Sequence, residues 1–267
     1  MILSALYRYP VKSAQAQSLP ASSVGNLGLA GDRRWLVVEA ENGRFLTQRA
    51  WPRLGLVRAS YLADDSLLLE ALGLAPLNVP VPAADDGLRG VTIWRDTLRV
   101  PDAGDAAAAW LSGLLGKPVR LVHCPESRAR YLPNGYGLNS DRAAFPDGFP
   151  LLLIGQASLD ELSSRVGRPM EMLRFRPNLV VEGAPAFAED GWKRIRIGAM
   201  TFRVLKPSVR CILTTLDPAT GERSPDREPL TTLKTFREKD GDVLFGQNLA
   251  VDGEGQLQVG MEVQVLE

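Results

Sequence analysis

Residues 34–47 read RWLVVEAENGRFLT, and this stretch decides the fold class. Arg34–Val38 is rich in β-branched and aromatic residues, which favours a strand. The following Glu41–Gly43 predicts a hairpin turn, since the Asn-Gly pair tolerates positive φ at both central positions. Phe45–Thr47 is then expected to form the returning strand.

The same pattern of short strands and turns extends to both sides of this hairpin. The further strands expected are Ile2–Tyr9, Leu54–Tyr61, Ser66–Glu70, Val91–Trp94, Asn178–Val181, Ile195–Ile197, Thr201–Leu205, Val243–Gly246 and Val263–Leu266. Two helices interrupt them. One is predicted over Asp105–Leu115, with Asp105 accepting first-turn hydrogen bonds and Gly116 ending the helix. The other is predicted over Ser158–Arg165, where Ser158 and Glu161 have capping-box spacing. The fold expected is mainly β, of the α+β class, with barrel-like sheets.

The length of the chain indicates two modules. Its 267 residues exceed the roughly 100–200 residues of one domain. Pro118–Val122 follows the first helix and predicts a strand that opens the second module. We therefore expect an N-terminal β-barrel-like module over residues 1–117 and a second module over residues 118–267.

Composition excludes several classes of function. Lys plus Arg (31) equals Asp plus Glu (31), so no basic field favours nucleic acid. Arg8 and Lys12 interrupt the apolar start, and no run of ~18 apolar residues predicts a membrane span. The single histidine, His123, argues against a His-rich zinc site. Two distant cysteines, Cys124 and Cys211, suit a reducing compartment, so we expect a cytoplasmic protein with no membrane partner.

The stretch PSVRCILTT, residues 207–215, is the most informative for chemistry. A free cysteine such as Cys211 is most often inert core. Here Arg210 adjoins the thiol, and a nearby cation favours the thiolate that binds metals. Asp217–Gly221 predicts a turn close by, which places Cys211 within reach of a cofactor. Both interpretations, core residue and metal ligand, stay open on these residues alone.

Three other stretches offer cations. Pro177 is expected to restrict Arg176 to extended backbone geometry. The planar guanidinium group of Arg176 would then be directed at a phosphate or a polar heterocycle. Lys12 and Ser13 follow a proline and form a pair that can hold a phosphate. Arg33 lies in a charged run that predicts either an anion site or the polar edge of a strand. For each arginine the alternative is a surface salt bridge.

Taken together and in order, these stretches resemble the MOSC-domain proteins that carry a MOSC N-terminal β-barrel domain. The resemblance is carried by Tyr9–Ser13, Gly31–Trp35, Arg176–Asn178, Pro207–Gly221 and Glu228–Lys234. It spans nearly the whole chain. Within that family the sequence is most similar to the mitochondrial amidoxime-reducing components and to bacterial reductases of N-hydroxylated compounds.

The resemblance implies a molybdenum–molybdopterin cofactor in a cleft between the modules. Cys211 matches the thiolate that ligates molybdenum, and the resemblance therefore implies that Cys211 is the catalytic residue. The residues implied to bind the rest of the cofactor are Lys12, Ser13, Arg33, Asp147, Arg176, Asn178, Ser208 and Arg210. A soft metal centre suits a thiolate ligand. With only two cysteines, no iron–sulfur cluster is expected in this chain.

The activity implied is reduction of N–O bonds in small N-hydroxylated molecules. Electrons would then come from a separate protein, either ferredoxin-like or cytochrome b5-like. A second hypothesis is a cofactor carrier or a sulfur-transfer module that holds a persulfide on Cys211. A third is a scaffold without cofactor, in which Cys211 and the arginines are structural.

Overall fold

Strands dominate the computed structural model, which describes residues 1–133 and 135–267. In chain order they are β1 (Ile2–Arg8), β2 (Gln17–Leu19), β3 (Ala21–Gly25), β4 (Gly28–Leu29), β5 (Trp35–Glu39), β6 (Arg58–Tyr61), β7 (Leu67–Glu70), β8 (Leu77–Val79), β9 (Leu88–Ile93), β10 (Asp96–Pro101), β11 (Val119–His123), β12 (Arg130–Tyr131), β13 (Arg142–Ala143), β14 (Leu151–Gly155), β15 (Leu179–Glu182), β16 (Arg194–Ile197), β17 (Met200–Arg210), β18 (Glu238–Lys239), β19 (Asp242–Asp252), β20 (Gly255–Gln258) and β21 (Val263–Val265). The helices are α1 (Asp105–Leu115), α2 (Gln156–Val166) and α3 (Leu230–Arg237). The predicted mainly β, α+β fold class is confirmed.

The largest sheet combines strands from both ends of the sequence. Its order is β2-β1-β15-β14-β19-β17-β16-β21, with β18 also paired to β19. Only the β14–β15 pairing on this path is parallel among the described residues. Strand β3 pairs with β20 in a smaller sheet. Strands β1 and β3, near the start of the sequence, are therefore hydrogen-bonded to strands that lie far along the chain.

Strand β11, which was expected to open the second module, pairs with a strand of the first module. Strand β11 runs antiparallel to β5, with Leu121 opposite Val37. Leu121, Val37 and Leu111 of α1 belong to one buried apolar cluster. The division of the chain at residue 117 stays a prediction, and this pairing places residues 119–123 against the N-terminal strands.

Helix α1 has the predicted bounds, but its first turn is not capped as predicted. Gly104 precedes the helix without a side-chain cap, so the expected role of Asp105 as the capping acceptor is wrong. The Asp105 carboxylate instead accepts a hydrogen bond from Arg120, at 2.6 Å. Gly116 ends the helix with a φ of 69°, as predicted.

Helix α2 begins two residues before the predicted start, and its predicted capping box is wrong. Ser158 lies inside the helix, where its hydroxyl donates to the buried carboxylate of Glu189, at 2.8 Å. Glu161 pairs with Arg165 one turn later. Gly167 ends the helix in the left-handed region, with a φ of 80°. Helix α3 was not predicted, because its threonine-rich sequence favours neither a helix nor a strand strongly.

The hairpin after β5 forms, but its returning strand is reduced to bridges. Gly43 turns the chain with a φ of 70°, and a Cβ there would lie 2.2 Å from the carbonyl oxygen of Gly90. Phe45 pairs with Val38 through a single bridge, and Arg44 bridges Thr92 of β9. Arg44 and Phe45, after the turn, thus pair with strands of two different sheets.

Strand β17 delivers the chain to the candidate site. It pairs with β19 over most of its length, with register shifts between Val204 and Lys206 and between Pro207 and Val209. Pro207 has no N–H to donate, which suits an irregular position in a strand. Cys211 follows directly and begins a 3₁₀ turn, Ile212–Thr215. No helix in the described ranges is long and apolar enough to cross a membrane.

Candidate functional site

A cleft of about 320 Å³ lies where the N-terminal strands meet the end of β17. All residues that the sequence analysis assigns to a site line it: Lys12, Ser13, Arg33, Asp147, Arg176, Asn178, Ser208, Arg210 and Cys211. They come from five separated parts of the chain. Their convergence on one cleft is a property of the fold, and their roles there stay predictions.

Cys211 is half-buried on the cleft wall. Its backbone is extended, with a φ of −133°, and its carbonyl oxygen accepts hydrogen bonds from the N–H and the hydroxyl of Thr214, at 3.1 and 3.0 Å. These bonds fix the backbone at the point where the strand becomes a 3₁₀ turn. Cys211 thus lines the cleft and is partly exposed, so a ligand in the cleft can reach this residue.

Arg210 is held beside Cys211 by backbone carbonyls. Its Nε donates to the carbonyl oxygen of Phe245 at 2.7 Å, and its Nη1 donates to that of Phe175 at 3.0 Å. Burial lowers the pKa of Arg210 to about 9, although the charge of Cys211 opposes that shift. The remaining nitrogen, Nη2, is buried and has no partner among the described residues. A side chain at Gly246 would crowd this nitrogen, since a Cβ there would lie 3.3 Å from it.

Arg33 and Arg176 join the two sides of the cleft around Tyr9. The Cζ atoms of Arg33 and Arg176 lie 4.4 and 4.2 Å from the Tyr9 ring centroid. Arg33 Nη2 donates to the carbonyl oxygen of Arg176 at 3.1 Å, and Nη1 donates to Asn178 Oδ1 at 3.0 Å. Asp32 pairs with the same guanidinium at 2.5 Å. Both arginines thus stack on Tyr9, and Arg33 is also fixed by the backbone carbonyl of Arg176.

The expected extended geometry of Arg176 is wrong. Its φ is 56° and its ψ is 46°, in the left-handed region, because it ends a 3₁₀ turn through a bond from its N–H to the Leu173 carbonyl. Its Nη1 donates to the carbonyl oxygen of Ala14 at 2.9 Å, which compensates the unfavourable backbone. Burial lowers the pKa of Arg176 to about 10. Its Nη2 is buried without a partner in the described part of the chain.

The Asn178 side chain is held by hydrogen bonds at both its nitrogen and its oxygen. It is fully buried. Its Nδ2 donates to the carbonyl oxygen of Tyr7 at 3.0 Å, and its Oδ1 also accepts from the N–H of Leu152 at 3.2 Å. With these bonds and the one from Arg33, the amide acts mainly by holding that arginine at the cleft.

Lys12 and Asp147 form an ion pair on the N-terminal wall. Lys12 Nζ lies 2.5 Å from Asp147 Oδ1 and donates to the carbonyl oxygen of Phe145 at 2.8 Å. Burial lowers the pKa of Lys12 to about 8, while Asp147 opposes the shift. Ser13 is buried next to Lys12, with a φ of 71°. The strained turn brings the lysine and the serine to the cleft together.

Sequence reasoning missed two cations of the cleft, Arg49 and Lys206. Arg49 Nη2 lies 3.3 Å from Asp147 Oδ2, and its Nε is buried without a partner among the described residues. Arg49 belongs to no motif in the sequence, and only the three-dimensional return of the chain after Phe45 brings it to the site. Lys206 directly precedes the cysteine stretch, which begins at Pro207.

The composition of the cleft determines which ligands it can take. Its cations are Lys12, Arg33, Arg49, Arg176, Lys206 and Arg210, and its only carboxylate among the described lining residues is Asp147. Such a cleft attracts an anion. The described residues contain no cluster of three His, Cys, Asp or Glu side chains that could hold a metal ion. A metal at Cys211 would therefore bring most of its own ligands with it.

A molybdenum–molybdopterin cofactor fits these donors. Its phosphate requires cations and N–H donors, which the unpartnered Nη2 atoms of Arg176 and Arg210 and the unpartnered Nε of Arg49 supply. Its metal requires a soft ligand, which Cys211 supplies. The residues present thus match the group that the sequence resemblance implies.

Comparison with known proteins defines the class of protein. The sequence matches the MOSC N-terminal beta barrel domain over residues 1–118 and the MOSC domain over residues 140–264. This chain belongs to the family of MOSC-domain proteins with a MOSC N-terminal β-barrel domain.

Three relatives represent the similarity at the level of whole proteins. Mitochondrial amidoxime-reducing component 1 of Xenopus laevis is 33% identical over 97% of this chain and 80% of its own length. Mitochondrial amidoxime-reducing component 1 of Homo sapiens is 34% identical over 98% of this chain and 82% of its own length. Molybdenum cofactor sulfurase of Oryza sativa subsp. japonica is 31% identical over 98% of this chain but 34% of its own length. Membership of this family supports a function related to the molybdenum cofactor.

Proposed function

We propose that this protein is a molybdenum-cofactor-dependent reductase of small N-hydroxylated or other N–O compounds. The observation that carries the proposal is the single half-buried thiol of Cys211 on the wall of a cation-lined cleft. Similarity to two amidoxime-reducing components over almost the whole chain supports the reaction class.

The residues of the chain would bind and orient the cofactor. Cys211 would ligate molybdenum, while Lys12 and Arg33 on one wall and Arg176 on the other would hold the anionic end. Asn178 would act through Arg33, whose guanidinium it fixes. Ser13, Ser208 and Arg210 would line the bound group, and Asp147 would limit the net charge of the wall.

When bound, the cofactor would supply two electrons that, with two protons, convert an N–O bond into N–H and water. Cofactor enzymes take the difficult electronic step from the cofactor, and the protein supplies binding, orientation and electrostatics. The electrons would come from a separate donor protein, ferredoxin-like or cytochrome b5-like. A cytoplasmic location stays a prediction.

The direct test is reduction of an N-hydroxylated amidine with a chemical reductant as the electron source. The wild-type protein should turn over the substrate, and Cys211→Ala should lower the rate by about three orders of magnitude or more, because the metal loses its protein ligand. Cys124→Ala is the matched control and should keep the activity. Turnover by Cys211→Ala at the wild-type rate would contradict the proposal.

A second candidate function is supported by the similarity to a molybdenum cofactor sulfurase. In that case the chain would carry the cofactor or transfer sulfur through a persulfide on Cys211. Mass spectrometry of the intact protein distinguishes the two functions. A reducible gain of one sulfur atom on Cys211, without bound pterin, would favour sulfur transfer.

A further inference from the structure

The turn between β9 and β10 places a strained tryptophan near the edge of the cleft. Trp94 and Arg95 form this two-residue connection, since Ile93 pairs with Asp96. Trp94 has a φ of 53°, a region in which a bulky side chain is unfavourable and glycine is preferred. The side chain is 45% exposed, so burial in the core does not hold it there. Strain of this kind persists where the surrounding contacts fix it, and such positions cluster at functional sites.

Trp94 contacts the charged groups of the N-terminal wall and the ring of Phe45. Its indole Nε1 donates to Asp147 Oδ1 at 3.2 Å. Its ring lies 5.1 Å from the Cζ atom of Arg49 and contacts the Phe45 ring edge to face, at 5.0 Å between centroids. Lys12 contacts the same Asp147 oxygen, whereas Arg49 contacts the other. Trp94 therefore touches the carboxylate and one of its two cations.

A buried arginine ties this turn to the segment that carries Asp147. Arg130 Nη1 lies 2.6 Å from Asp96 Oδ2, just after the turn. The same guanidinium donates through Nη2 to the carbonyl oxygen of Pro146 at 2.6 Å and through Nε to that of Ala144 at 3.0 Å. The turn and the Asp147 segment are thus one connected unit, and the indole is presented to the carboxylate at a fixed place.

We infer that Trp94 is a positioning residue that fixes the Asp147 carboxylate and so keeps Lys12 and Arg49 oriented toward the anionic end of the cofactor. An Asp147 side chain without the indole bond can rotate about χ1 and take further N–H groups from these cations. Each N–H taken in this way is lost to a ligand in the cleft. This inference rests on the proposed function, since it concerns the same cleft.

A double-mutant cycle tests whether Trp94 acts through Asp147. Trp94→Phe keeps an aromatic ring at this position and removes the N–H donor together with part of the indole surface, and the cycle isolates the part of its effect that depends on Asp147. The measured quantity is the rate of cofactor release from the loaded protein, followed by pterin fluorescence and by molybdenum retained after gel filtration. We expect Trp94→Phe to speed release about five- to tenfold, less than a buried hydrogen bond to a charged group would contribute, because Trp94 and the Asp147 side chain are 45% and 59% exposed. In the Asp147→Ala background, which offers no side-chain acceptor to the indole, the same change should alter release by less than about twofold.

Trp110→Phe is the matched control. Trp110 also donates through its indole N–H, to the carbonyl oxygen of Ala75 at 2.7 Å, but it lies on α1 and does not line the cleft. Its substitution should leave cofactor release unchanged. Equal acceleration by Trp94→Phe with and without Asp147, or no acceleration at all, would overturn the inference while leaving the proposed function standing. A wild-type protein that binds no molybdenum cofactor in a host that makes it would overturn both.

Discussion

The two cysteines of this chain occupy opposite environments. Cys124 is fully buried among apolar residues such as Phe145 and Val122, and its thiol contacts the carbonyl oxygen of Pro125 at 3.6 Å. Burial raises the pKa of Cys124 to about 11. Cys211 is half-buried on the wall of the cleft.

The difference shows that the surroundings, rather than the residue type, decide which thiol can do chemistry. Both cysteines follow directly after a strand, and both have an arginine near in sequence or space. Cys124 itself lies in packed core, and Arg34 donates to its carbonyl oxygen at 2.7 Å. At Cys211 the strand ends at a cleft with three buried, unpartnered arginine nitrogens among its described lining.

The largest effect that this comparison predicts is a difference in thiol reactivity. In protein prepared from a host that makes no molybdopterin, iodoacetamide should modify Cys211 at least about a hundredfold faster than Cys124. The reason is that a fully buried thiol with a raised pKa reacts only when the structure opens locally. Peptide mass spectrometry over a time course at pH 8 measures both rates. Similar rates for the two thiols would remove the distinction on which the comparison depends.

A smaller effect concerns pH. Because the folded pKa of Lys12 is about 8, Lys12 is charged below that pH and loses its proton as the pH rises through it. The affinity of the cofactor-free protein for molybdenum cofactor should therefore fall by up to about tenfold between pH 7 and pH 9, with most of the fall above pH 8. Fluorescence titration of the pterin across this range measures the affinity.

Lys12→Arg provides the control for the pH effect. Arginine keeps its charge throughout this range, so the affinity of this variant should be flat where that of the wild type falls. A fall of the same size in Lys12→Arg would assign the titration to another group.

The smallest effect is expected at Cys124. Cys124→Ala removes one buried sulfur atom and should lower the free energy of unfolding by about 1 kcal/mol, since it leaves a small cavity. Denaturant unfolding of the cofactor-free protein measures this change. Loss of cofactor binding in this variant, with the fold intact, would show that the two cysteines are less different than their environments indicate.

The sequence predicted which residues line the cleft better than it predicted their backbone geometry. Cys211, Lys12 and Arg33 belong to short stretches whose residue types suggest metal or phosphate chemistry, so a linear pattern could find them. Arg49 and Trp94 belong to no such stretch. A hairpin returns the chain so that Arg49 lines the cleft, and a two-residue turn places Trp94 against Asp147 at the cleft edge. Such long-range returns leave no local signal.

Predictions from local sequence also failed where contacts with the rest of the structure determine the backbone conformation or the strand pairing. Arg176 precedes a proline, which favours extended backbone, yet the end of a 3₁₀ turn and the bond to Ala14 hold it in the left-handed region. Strand β11 pairs with β5 across more than 80 residues of sequence, and strand pairing of that range is set by packing rather than by propensity. The fold class was predictable because alternating strands and turns are local features.

The central claim is that Cys211 holds molybdenum in this cleft, and the metal content of matched variants tests it most directly. Wild type, Cys211→Ala and Cys124→Ala would be produced in one host that makes the cofactor, and molybdenum and pterin would be measured per chain. We predict stoichiometric molybdenum and pterin in the wild type and in Cys124→Ala, with molybdenum largely lost from Cys211→Ala. Equal molybdenum in all three proteins, or none in the wild type, would contradict the claim.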